Sequence, residues 1–199
     1  LSVEDIQKLG YSIAATCGVF DEQIEDTVIS SIIEKYFKLC QEPNQKVQST
    51  EGGQMRVACG LIYMCSQYFT ILNRFNTLLK AILQLILKFL TEGDFELQAV
   101  SINALKTLSQ RCKTMVVFPQ NNESGSFLTL LLSNTEQIFA GMAPDNIVEL
   151  FRIIAIMIRV HNDDQRMNYL NQLMSGINKM WQETVMSPSF NPFDIQTCH

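Results

Sequence analysis

The chain has 199 residues, 47% of them hydrophobic, with five prolines and nine glycines, which is enough apolar material for an ordinary core and too much for a disordered segment. Fifteen Lys and Arg against twenty Asp and Glu leave a formal net charge of −5, so no clustered cations offer a footprint for nucleic-acid phosphates. Few turn signals and little β-branched alternation exclude an all-β fold, while abundant Leu, Ile, Met, Gln, Lys and Glu predict long helices.

Apolar spacing and stop signals predict helices over about 3–18, 22–41, 53–68, 71–91, 95–114, 124–141, 144–160 and 164–184. Gly18 stops the first. Asp21 caps the second, which carries Ile24, Val28, Ile32, Tyr36 and Leu39 on one face before Pro43 and Asn44 close it. Asp94 caps the fifth helix, Ser124 the sixth, and Asp163 with Asp164 the eighth, while Pro144 opens the seventh, where its missing amide hydrogen is harmless. The apolar stretch Ile82 to Leu90 is broken by Gln84 and Lys88, far short of the roughly 20 apolar residues of a membrane span.

In the last helix Leu170, Leu173, Ile177 and Trp181 recur on one face, which predicts a buried Trp181 whose truncation to Ala costs about 3–5 kcal/mol. Beyond Met186 the run SPSFNPFDIQTCH reads as irregular. The expected organisation is one helical solenoid over 1–185 followed by an irregular 186–199. Abrupt ends at Leu1 and His199, without a secretion leader, predict a piece of a longer chain.

Short links make sequential helices antiparallel neighbours. Similar starts at Glu51, Asp94 and Pro144 recur every 40 to 50 residues or about that, the period of HEAT repeats, whose units bury their apolar faces only by stacking. The predicted fold class is all-α, a HEAT-repeat superhelical solenoid of antiparallel helix pairs.

No catalytic constellation emerges. His161 and His199 are the histidines, and Gly52-Gly53 lacks the Lys and Ser/Thr of a phosphate loop. The cysteines at 17, 40, 59, 65, 112 and 198 show no metal or redox spacing and read as free thiols, five of them in apolar helical surroundings. Neither an enzyme, a metal nor a cofactor is implied.

One helix exceeds the apolar needs of a helix pair. In NRFNTLLKAILQLILKFLTE, Phe75, Leu79, Ile82, Ile86 and Leu90 form a stripe that suits a repeat partner. A second stripe, Ile71, Leu78 and Leu85 with Phe89, needs a cover of its own. Helix 22–41 has a similar surplus in Ile29, Ile33, Phe37 and Cys40. If these are successive helices of one layer, the surplus stripes face one another over a floor of Ala58, Leu61 and Ile62, a cleft fit for an amphipathic or extended apolar segment. The competing reading is a structural scaffold whose stripes pack only within the stack.

At these residues the sequence resembles the exportins that recognise leucine-rich nuclear export signals, in the importin-β superfamily, and specifically their central HEAT repeats. The traces are LGYSIAATCG, VISSIIEKYFKLCQ, VACGLIYMCSQY, FNTLLKAILQLILKFLTE, LQAVSINALKTLSQRCK and LNQLMSGINKMW, covering about residues 5–184. The resemblance implies inner helices at 3–18, 53–68, 95–114 and 144–160, with 22–41 and 71–91 as the outer helices that form the export-signal groove. It assigns Ile33, Phe37 and Cys40 to one wall, Ala58, Leu61 and Ile62 to the floor, and Ile71, Leu78, Leu85 and Phe89 to the other wall. Gln54 and Lys88 fall on the rim, and Cys40 matches a thiol attacked by electrophiles. Where the family commonly carries lysine this chain has Leu85 and Gln54, and Lys88 replaces an acidic residue, which predicts intact apolar capacity with altered selectivity. The implied partners are leucine-rich export signals of cargo proteins, Ran-GTP in the full-length receptor, and nuclear pore proteins, with no nucleic acid and no membrane insertion. The implied localisation is shuttling between nucleus and cytoplasm.

Overall fold

The structure, a computed structural model, describes residues 2–42, 45–48, 52–92, 94–119 and 125–185. Among the described residues the regular structure is helical. Helix α1 spans Val3–Ala14, and α2 spans 22–41 as an α-turn at Glu22–Ile24, a π-turn at Glu25–Ile29 and an α-helix over Ser30–Gln41. Then come α3 (Gln45–Gln48), α4 (Gly53–Gln67), α5 (Phe69–Arg74), α6 (Asn76–Glu92), α7 (Phe95–Arg111) and α8 (Lys113–Val117). The chain continues with α9 (Phe127–Ser133), α10 (Thr135–Ala140), α11 (Pro144–Ile158) and α12 (Asp163–Val185).

The caps follow local chemistry. Ser2 and Asp5 form a reciprocal capping box on α1, Asp21 accepts from the Ile24 amide at 2.9 Å, and Asp94 accepts from the Leu97 amide at 2.9 Å. Other starts differ from expectation. Asn162 caps α12 by accepting from the Gln165 amide at 2.9 Å, so Asp163 and Asp164 sit in the first turn, where the positive end of the dipole favours them. Ser126 accepts from the Thr129 amide at 3.3 Å and caps α9, while Ser124 lies outside the described residues, as do Pro43, Asn44, Glu51 and the segment 186–199.

Several long helices are divided. The first ends at Ala14, and the chain turns through Gly18 at φ 79°, a conformation that costs glycine little. Predicted helix 71–91 starts at Phe69 and breaks at Phe75, 95–114 breaks at Cys112, and 124–141 breaks at Asn134. At Asn134 the side-chain amide donates to the Leu130 carbonyl at 2.7 Å, a local bond that competes with helical continuation.

The inner helices α1, α4, α7 and α11 pack on one another in chain order, and α2, α6 and the later outer helices lie against them. This is the all-α HEAT-type stack, with a core that runs continuously from Val3 to Leu173. Helix α4 is its centre. Val57, Ala58, Cys59, Gly60, Leu61, Ile62, Met64 and Cys65 are all buried because α1, α2 and α7 surround most of the helix, while Gln54 and Tyr63 stay exposed. Glycines meet where α1 crosses α4: a β-carbon on Gly10 falls 3.1 Å from the Gly60 Cα.

Polar ties join the repeats. Tyr68 Oη donates to the Ile13 carbonyl at 3.2 Å, Gln98 Nε2 to the Gly141 carbonyl at 3.3 Å, and Lys106 pairs with Glu149 at 2.6 Å. The first two satisfy carbonyls near helix ends, while Lys106 and Glu149 pair across the middles of α7 and α11 at the surface.

Two predicted core residues are misplaced. Trp181 is 59% exposed, because α12 is longer than α11 and its final turns run past it. Phe75 is 41% exposed because the break there turns it away from the fully buried Leu79, Ile82, Ile86 and Leu90.

Two stability tests follow from this packing. Gly10→Ala should lower stability by about 1 kcal/mol, since crowding against the Gly60 backbone outweighs the helix-propensity gain. Gly60→Ala, whose β-carbon meets its neighbours at 3.5 Å or more, should be neutral or stabilising by up to about 1 kcal/mol. Urea unfolding of both variants would reveal the asymmetry, and equal losses would place the crossing elsewhere. In the same assay Trp181→Ala should cost less than about 1 kcal/mol, well under the cost of removing a packed tryptophan.

Candidate functional site

Helix α2 packs on α4, whereas α6 packs chiefly on α7 with a lesser contact to α4. Ile33, Leu61, Ile62 and Ile71 are fully buried, Ala58 and Cys40 nearly so, and Phe37, Leu78, Leu85 and Phe89 are half-buried against the core. The nominated wall and floor residues thus belong to the core or pack against it, and most of them are buried in the fold itself.

The two ends of the cleft differ. At the beginnings of the helices, Arg74 on α5 reaches the first turns of α2 and pairs with Glu22 at 3.2 Å and Asp26 at 2.5 Å. Toward the end of α6 a hollow of about 220 Å³ lies between α4, α6 and the start of α7, lined by Gln54, Met55, Ala58, Lys88, Phe89, Glu92, Asp94 and Leu97, with no residue of α2 among them. Four of the nominated residues, Gln54, Ala58, Lys88 and Phe89, meet there. Met55, Glu92, Asp94 and Leu97 complete the lining, and of these the sequence singles out only Asp94, as a helix cap and repeat start, since an isolated methionine and a helix-end acid carry no periodic signal.

Gln54 does more than line a rim. Its Nε2 donates to the Cys40 carbonyl at 2.8 Å, satisfying an acceptor at the C-terminus of α2 and pinning that end to the start of α4. Lys88 is the cation of the lining, beside the carboxylates of Glu92 and Asp94. An apolar side chain entering over Ala58 and Phe89 would leave a mixed-charge rim around it.

Cys40 is a free thiol buried beneath this end, and burial pushes its pKa up to about 12. In this arrangement it is a neutral thiol, since the low-dielectric surroundings disfavour thiolate. Burial likewise raises Cys59 to about 12, Cys112 to about 11, and Cys65 further.

Elsewhere, a larger hollow of about 740 Å³ lies between α10 and α12, with Thr135, Gln137, Gln172 and Ser175 in its lining and the Glu136–Lys179 ion pair, 3.0 Å, across it. Its polar lining does not suit apolar anchors. Among the described residues there is no group of side chains arranged to hold a metal ion, and no helix is long and apolar enough to cross a membrane.

No family model matches the chain. It is 24% identical over 182 residues to exportin 1B of Arabidopsis thaliana, covering 91% of this chain and 16% of that protein. It is 20% identical over 191 residues to exportin-1 of Drosophila melanogaster, covering 96% of this chain and 18% of that protein. With exportin-1 of Dictyostelium discoideum it shares 22% over 185 residues, 92% of this chain and 17% of that protein. The chain therefore spans 16–18% of the length of these curated relatives and is exportin-like over nearly all of its own.

The buried thiols make stability depend on alkaline pH. A cysteine whose folded pKa is raised above its ordinary value near 9 stabilises the fold fully below pH 9, and that stability is lost as pH climbs toward the folded value. Each such thiol should remove about 1.4 kcal/mol per pH unit above 9. Urea unfolding at pH 8, 9 and 10 should show the decline, with a shallower slope in Cys40→Ala. A flat profile would mean that the thiols reach solvent.

Proposed function

We propose that this chain is part of a nuclear export receptor and that the cleft between α2 and α6 takes the apolar side chains of a leucine-rich export signal. The carrying observation is the likeness to exportin-1 proteins over more than nine-tenths of the chain. The geometry supports it in one respect, because Ala58 and Phe89, which the resemblance assigns to the floor and one wall, line a common hollow with Gln54 and Lys88. The role is that of a transport receptor and not of an enzyme. In the full-length protein cargo loading is coupled to Ran-GTP, with the nucleotide on the partner, and the receptor shuttles between nucleus and cytoplasm through contacts with nuclear pore proteins.

Binding rests on apolar burial. Each fully buried Leu-sized anchor contributes roughly 1.5–3 kcal/mol, and the costs of association and of ordering the peptide reduce the sum toward micromolar affinity. The groove proper comprises Ile33, Phe37, Cys40, Ala58, Leu61, Ile62, Ile71, Leu78, Leu85 and Phe89. Where Leu85 and Gln54 replace lysines of the resembled family, acidic residues flanking a signal lose attractive partners, and Lys88 beside Glu92 and Asp94 only partly compensates.

Fluorescence titration with a leucine-rich peptide should saturate. Phe37→Asp should abolish saturation, Phe89→Ala should weaken binding by about 1–3 kcal/mol, and Leu85→Lys should favour acidic-flanked peptides at low salt. A chain that serves only as a HEAT-repeat scaffold would show no saturable binding of any peptide, and that result would reject the receptor reading.

A further inference from the structure

The cleft is asymmetric in a way that its apolar residues do not explain. Arg74 is the last residue of α5, directly before the break at Phe75, and its guanidinium faces three carboxylates on the opening turns of α2. Nη1 lies 3.2 Å from Glu22, Nη2 2.5 Å from Asp26 and 3.8 Å from Glu25, and Nε donates to Asp26 at 2.7 Å. The planar fork thus grips one carboxylate through two nitrogens, an arrangement of fixed geometry. Glu25 is itself buried, and Thr70 Oγ1 lies 3.5 Å from its carboxylate. The π-turn of α2, Glu25–Ile29, begins at this contact, an irregularity that often accompanies functional positions in helices.

Beyond the clasp, Ile33 and Ile71 are fully buried, whereas Phe37, Leu85 and Phe89 farther along the helices are only partly buried, with a hollow beside Phe89. Charge holds the start of α2 to the end of α5, while at the other end Gln54 ties α2 to α4. Separating the start of α2 from α5 would expose Ile33, Ile71 and Leu78 together and would also strip Asp26 and Glu25 of their cation.

We infer that Arg74 is a specificity-determining residue: its clasp on Glu22 and Asp26 keeps the first half of the cleft shut, so the protein accepts short segments with one or two large apolar side chains and resists longer ones. This inference rests on the reading of the cleft as a peptide site. Loss of the clasp lengthens the usable cleft toward Leu78 and Ile71. Because the guanidinium is partly exposed, high salt weakens the clasp and acts in the same direction.

The test compares a peptide carrying two large apolar anchors with one carrying four, on the wild-type chain and Arg74→Gln, at low and high salt. Arg74→Gln should tighten binding of the four-anchor peptide roughly tenfold and leave the two-anchor peptide unchanged. Amide hydrogen exchange should accelerate in 22–33 and 69–79 with little change in α7 and α11. High salt should reproduce part of the gain in wild type and none in the variant. Asp26→Asn, which leaves Arg74 its contact with Glu22, carries the same comparison if circular dichroism shows Arg74→Gln to be unfolded. Equal gains for both peptides, or saturable binding with neither affinity nor exchange altered, overturns the clasp alone. Absence of binding by either peptide to either protein overturns the peptide-site reading and the specificity role with it.

Discussion

Helix α4 is packed by α1, α2 and α7 at once, and the positions of the other described elements around the cleft depend on that. Most of its circumference is therefore apolar, with Gln54, Arg56, Tyr63 and Gln67 left to reach solvent, and it must be thin where neighbours come closest. Gly60 opposite Gly10 supplies the thinness on the side of α1, where backbone nearly touches backbone. On the side of the outer layer, Ala58, Leu61 and Ile62 set the height on which α2 and α6 rest. The spacing of the two outer helices is therefore inherited from side-chain volumes on a helix between them and beneath them.

That inheritance explains why the cleft is shallow and why its ends differ. Leucine and isoleucine from three helices fill the middle to the density of an interior, leaving no room for a ligand without movement. At one end an arginine among carboxylates replaces packing with directional charge. At the other, Ala58 is too small to fill the gap between Met55 and Phe89, and a hollow persists. Cys40 lies beneath this second end with its backbone carbonyl held by Gln54, so access to its sulfur requires the helix ends to part. Apolar filling and charge pairing respond differently to solvent conditions, since salt screens charges at the surface and leaves buried aliphatic contacts intact.

The likeness to exportin-1 proteins runs over more than nine-tenths of the chain, as a stack whose repeats share one core allows. Gln54 lines the hollow and also holds the Cys40 carbonyl, so one side chain serves both the candidate site and the packing of α2 on α4.

The sequence by itself determined the helical class and the caps at Asp21 and Asp94, because period, side-chain oxygens and backbone amides act within a few residues of one another. The convergence of Ala58 and Phe89 was legible too, since surplus apolar stripes need a cover wherever they fall. What the tertiary structure decided was how such stripes are covered. Burial of Ile33 and Ile71 depends on distances between helices, which no periodicity encodes. Trp181 has the spacing of a core residue but runs past the end of its neighbour, and helix length against helix length is settled only in three dimensions. Arg74 carries no signal in the sequence, because its partner Asp26 stands 48 residues away, a separation that leaves no local signature of an ion pair.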